Sequence, residues 1–151
     1  MADLHIDDFY RDVATIFLRL YAVFPRKTIL YVEDICGPDQ PDEFGLHHPR
    51  FQAGFSAMVW LAEEGYLNFQ DTIRAEALDQ VVLSQKAFLL LSSRSKLGLT
   101  EPPDEDTVPP SVAEQSRTNI NQLRHVLREG SSIRLQKCVA FMLAQDPIGG
   151  G

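Results

Sequence analysis

The chain has 151 residues, 44% of them hydrophobic and 23% charged, a balance that suits one domain of ordinary size with apolar material for its own core. A net charge of −7 disfavours nucleic acid and anionic membranes as partners. No run approaches the roughly 18 apolar residues of a membrane span. The opening MADLHIDDF has neither the basic nor the apolar stretch of a secretory leader. With only two cysteines, Cys36 and Cys138, a cytoplasmic setting with reduced thiols is expected. The charge is unevenly spread, −5 over residues 1–46 and +2 over 111–151.

In chain order, residues 7–24 read as a helix. Phe9, Val13, Ile16, Phe17, Leu20 and Phe24 recur at spacings of three and four, and Pro25 stops it. Residues 28–36, TILYVEDIC, suit either a strand or a brief helix. GPDQPDEFG at 37–45 is a loop. Pro49 then opens a helix that should end near Gly65. Residues 66–70 and 80–84 have strand composition, with DTIRAEALD between them as a hairpin tip. Ser84 is placed to cap a helix over 85–93.

GLTEPPDEDTVPP, at 98–110, predicts an exposed linker. Two amphipathic helices are expected beyond it, the first carrying Ile120, Leu123, Val126 and Leu127. Gly130 breaks the chain, and Ser132 is read as the cap of a second helix bearing Leu135, Val139, Met142 and Leu143. The predicted organisation is therefore a mainly helical domain with a small β-hairpin over 1–93, a linker at 94–110, a helical extension at 111–146 and a flexible tail at 147–151.

The span WLAEEGYLNF…DQVVLSQKAFLLL, residues 60–91, resembles the back half of a winged helix-turn-helix domain. Leu61, Glu64, Gly65, Tyr66, Leu67, Val82, Leu83, Ser84 and Lys86 occupy places matching that family's L-x-x-x-G-Y/L and V-L-T/S-x-K-G signatures. Ala87 departs from the usual glycine. Over its length the chain is also similar to bacterial proteins of no assigned role, which adds no chemistry. The resemblance implies a winged-helix-like fold, and such folds serve DNA binding and protein assembly alike.

A DNA-binding winged helix offers long polar side chains to base edges from the helix before the hairpin and cations to phosphates from the wing. Here that helix, 50–64, is apolar almost all round. Phe51, Phe55, Met58 and Ala62 are read as its inner face, with Ala53, Ser56, Ala57, Trp60 and Glu64 opposite. Between Asp71 and Asp79 stand three acids and one cation, Arg74. The preferred expectation is a non-enzymatic protein-interaction or dimerisation module with Trp60, Ala53 and Ala57 at the interface, since tryptophan is a frequent interface anchor. The alternative is a transcription regulator using Arg50, Gln52 and Ser56 on bases and Arg74 from the wing. Arg117, Arg124 and Arg128 share one helix face, read as solvated.

No catalytic constellation is legible, and neither a cofactor nor a metal is expected. His47-His48 near Asp42 and Glu43 invites a metal, but lacks a third ligand at helical spacing. It is read as the polar start of the following helix. His5 and His125 stand alone, and neither a phosphate-cradling glycine motif nor a paired-cysteine framework occurs.

Overall fold

The computed structural model describes residues 4–96 and 117–145. The expected linker from residue 97 onward, the expected extension at 111–116 and at 146, and the tail at 147–151 lie outside them. Six helices and four strands are found among the described residues, giving a mainly helical α+β fold with a small antiparallel sheet.

α1, Leu4–Val23, is the central helix. It buries Val13, Ile16, Phe17 and Leu20 on the stripe read from the sequence. The ambiguous apolar run resolves into both alternatives: β1 spans Thr28–Tyr31, and α2 spans Val32–Cys36. The strand ends where Val32 N donates to the Glu76 carbonyl at 2.9 Å, and Glu33 and Asp34 then occupy the first turn of a helix, where the dipole favours acids.

After the loop 37–48, α3 spans Pro49–Glu63. Pro49 stands at its start, and the His48 ring accepts from Arg50 N at 3.0 Å as the cap. Gly65, at φ +85°, ends it in the left-handed conformation that glycine adopts without a Cβ penalty.

The signature residues after α3 meet one another. Ser84 Oγ donates to the Gly65 carbonyl at 2.6 Å, and Lys86 Nζ donates to the Glu64 carbonyl at 3.0 Å. The same ammonium lies 4.1 Å from the Tyr66 ring centre, a cation–π contact. The turn out of α3 is thus held by the strand and helix that follow it.

β2, Leu67–Asn68, and β3, Asp71–Ile73, both pair antiparallel with β4, Ala77–Leu83, as does β1 from the other side. Pairing continues into the expected hairpin tip, where Asp71 faces Asp79 and Ile73 faces Ala77. The turn itself is confined to Arg74, Ala75 and Glu76, with Arg74 and Ala75 at φ +53° and +62°. Gln80, at φ +56°, coincides with a register shift against β1, as a bulge requires. Ser84 caps α4, Gln85–Ser92, accepting from Ala87 N at 3.2 Å.

α5, Asn119–Glu129, and α6, Ser132–Ala144, return to pack against α1. Ile120, Leu123, Val126, Leu135, Cys138, Val139 and Met142 join the same buried cluster as Phe17 and Met58. Tyr66 Oη donates to the Leu143 carbonyl at 3.2 Å. The start of α5 is tied to the end of α4, where Asn119 N donates to the Ser93 carbonyl at 2.9 Å.

Two sequence expectations need correction. Ser131, not Ser132, caps α6, its hydroxyl accepting from Arg134 N at 3.3 Å. α3 also buries Phe51, Gly54, Ala57, Met58 and Leu61 rather than the face read through Phe55 and Ala62, both half-buried. Gly54 fits the buried face: a Cβ there would meet Cys36 Sγ at 3.0 Å and Val32 Cγ1 at 3.2 Å, so the missing side chain lets α2 press close.

Candidate functional site

α1 and α3 lie against each other, and an open groove of about 310 Å³ runs between them. From α1 it is lined by His5, Ile6, Phe9 and Asp12, and from α3 by Ala53, Ser56, Ala57 and Trp60. Ser56 and Ala57 each lie three or four residues from both Ala53 and Trp60, so helical spacing puts the four on one side of α3. Trp60 stands edge-on to Phe9, with ring centres 5.3 Å apart at 83°. This geometry suits the aromatic quadrupoles and holds the indole in one orientation. It remains 36% exposed. Ala53 is exposed, whereas Ala57 is 5% exposed and only its edge reaches the groove.

One end of the groove is closed by an ion pair. Arg50 grips Asp12 through both terminal nitrogens, at 2.8 and 2.6 Å, and its Nε lies 3.4 Å from Asp8. Asp12 is 1% exposed. Burial pushes its carboxyl above the ordinary value while the Arg50 hydrogen bonds pull the other way, and those bonds hold the guanidinium above its own ordinary value.

The residues expected to contact DNA are placed differently from one another. Arg50 is committed to Asp12, and Gln52 Nε2 donates to the His47 carbonyl at 2.7 Å. Ser56 is exposed on the groove. Arg74 sits at the hairpin turn and lines a second cavity of about 300 Å³ with Leu46, His47, Gln52, Phe55 and Ser56. The 37–48 loop lies beside α3 there, with Phe44 79% exposed.

His47 joins that loop to the hairpin. Its Nδ1 lies 3.0 Å from Asp39 and its Nε2 lies 3.1 Å from Glu76, while the ring stacks on Phe51 at 4.0 Å. The hydrogen bond to Glu76, reinforced by Asp39, raises the imidazole above its ordinary value. The His48 backbone N–H, with His47, holds the Asp39 carboxyl below its own ordinary value. Asp42 is used within the loop, accepting from Phe44 N and Leu46 N at 2.9 Å each. Among the described residues no group of three or more His, Cys, Asp and Glu side chains is placed to hold a metal.

The sign of this linkage is fixed. A histidine raised on folding adds stability that is full below about 6.5, its ordinary value, and is lost as pH rises through the folded value. A depressed aspartate adds stability that is lost as pH falls through its folded value. The clamp is therefore strongest in mildly acidic solution. Urea midpoints of the parent should decline as pH rises from about 6.5, those of His47→Gln should lack this decline, and a parallel decline in both would show that His47 carries no such linkage.

The thiols have little nucleophilic character at neutral pH. Burial raises Cys36 and pushes Cys138 up to about 11. No helix among the described residues is long and apolar enough to cross a membrane.

Of the face read as outward from the sequence, Ala53, Ser56, Ala57, Trp60 and Glu64, the structure brings Ala53, Ser56 and Trp60 together on the groove, buries Ala57 at its edge, and leaves Glu64 outside the lining. Sequence reasoning missed Ile6, Phe9 and Asp12, which form the opposite wall. A signal existed at Asp12, a charge three residues from Phe9 on the flank of an apolar stripe that needs a partner when buried. The His47 clamp left no signal, since Glu76 lies 29 residues away.

The architecture defines the class as mainly helical α+β. No family model, curated protein or solved structure matches the chain.

Proposed function

We propose that the chain is a non-enzymatic winged-helix module of the cytoplasm that binds another protein through the groove between α1 and α3. The observation that carries this reading is Trp60. It is a half-exposed indole fixed by Phe9 over a floor of Ala53 and Ser56, the arrangement of an interface anchor beside an apolar pocket. The contacts among Gly65, Tyr66, Ser84 and Lys86 support the winged-helix assignment, because they give the family signature a structural purpose.

The alternative, a DNA-binding regulator, draws its support from Ser56 and Arg74, which remain outward. Against it stand the engagement of Arg50 by Asp12 and the acids Asp71, Glu76 and Asp79 around the hairpin turn. A labelled mixed-sequence duplex followed by fluorescence anisotropy separates the two. As salt is lowered from about 150 mM, a DNA binder tightens steeply from a Kd of roughly 10⁻⁴ to 10⁻⁶ M. The expected result is no binding at any salt. Saturable binding weakened by Arg74→Ala would overturn the protein-interaction reading.

A further inference from the structure

The groove's chemistry restricts what can fill it. Its two walls are helices, and its lining is apolar apart from His5, Asp12 and Ser56. Ala53 and Ser56 have short side chains that let another backbone come close, while Phe9 and Trp60 form a taller flank. A third helix laid along these two fits this shape, since helices pack with axes 8–10 Å apart when the facing residues are small.

The charges at the groove's ends select among such helices. At one end Asp12 is buried and held by Arg50, while Asp8 stays partly exposed 3.4 Å from the same guanidinium. At the other, Glu63 stands exposed about one turn beyond Trp60. A second copy of this chain would bring these acids against one another, and like charges across an interface are costly. A nucleic acid meets the same repulsion. The complementary occupant is cationic where the groove is acidic and apolar where it is apolar.

We propose, on the basis of the interaction reading above, that this groove receives the apolar face of an amphipathic helix with Lys- or Arg-rich flanks, supplied by a separate protein. The bound helix lays an apolar stripe against Ile6, Phe9, Ala53 and Trp60. Its basic flanks reach Asp8 and Glu63. Electrostatic attraction speeds the encounter, and apolar contact with the indole sets the lifetime.

Trp60 is the only tryptophan in the chain, so its emission reports on this groove alone. The probe is a tryptophan-free amphipathic helix of leucine and lysine, with a leucine and glutamate counterpart as control. The Leu/Lys peptide should shift Trp60 emission to the blue, saturably, and more tightly as salt falls. The Leu/Glu peptide should not bind. Ala53→Glu gives the decisive comparison because Ala53 is exposed and the change makes the protein more acidic. Groove binding should weaken at least tenfold, whereas attraction to net charge alone would strengthen.

No shift with the Leu/Lys peptide, equal shifts with both peptides, or tighter binding by Ala53→Glu would each overturn the inference. A blue shift that grows with protein concentration without peptide also overturns it, because a second copy then fills the groove. That outcome leaves the interaction reading intact. An emission unmoved by peptide or by self-association takes that reading down as well.

Discussion

Replacing Arg50 with alanine is expected to destabilise the fold by about 3 kcal/mol. The loss arises less from the missing attraction than from what is left behind. Asp12 is almost wholly buried, and without the guanidinium its carboxylate keeps the cost of leaving water with little in return. Arg50 is itself 28% exposed on its side chain, which places the figure at the lower end for broken buried pairs.

The pH dependence of this loss has a definite sign. Asp12 is already raised by burial, and removing its partner raises it further. The penalty of ionised Asp12 is present above that value and disappears as pH falls through it. Urea denaturation of parent and variant should therefore differ most near neutrality and converge in acid. A double change, Arg50→Met with Asp12→Leu, should recover most of the loss, since apolar replacement of a buried pair is often neutral. A constant gap at every pH would show that Arg50 contributes through packing rather than through Asp12.

The second large effect lies in the C-terminal pair. Leu123→Ala should cost about 3 kcal/mol, because Leu123 is fully buried in the cluster that contains Phe17 and Met58. The informative feature is the shape of the transition. With α5 and α6 seated on α1, the variant should still unfold in one step, at a lower urea midpoint and with an unchanged slope. Two separated transitions, the first confined to the C-terminal helices, would make them an appended unit.

Much of the helical framework was legible because it is locally encoded. The α1 stripe, Pro49 and Gly65 at the ends of α3, and the Ser84 cap each need only neighbours in sequence. The orientation of α3 was legible only in part: Phe51, Phe55, Met58 and Ala62 share one face by helical spacing, whereas the structure buries Gly54, Ala57 and Leu61 with Phe51 and Met58, on a face turned to one side of it. The contacts on that face are long-range, Gly54 against Cys36 and Arg50 against Asp12, and nothing local in the sequence announces them. The run 28–36 was ambiguous because its strand half depends on β4, about fifty residues later. On the groove, Trp60 and Ala53 showed in the sequence as outward residues. The wall made by Ile6 and Phe9 did not, because only tertiary packing sets α1 beside α3.

The seating of α5 and α6 on α1 has a consequence for synthesis. α1 leaves the ribosome before the helices that cover one of its sides, which are made almost a hundred residues later. At translation rates of about 5–20 residues per second, that side stays bare for roughly 5–20 s. During this interval the nascent chain offers apolar side chains such as Phe17 and Leu20 without their final cover.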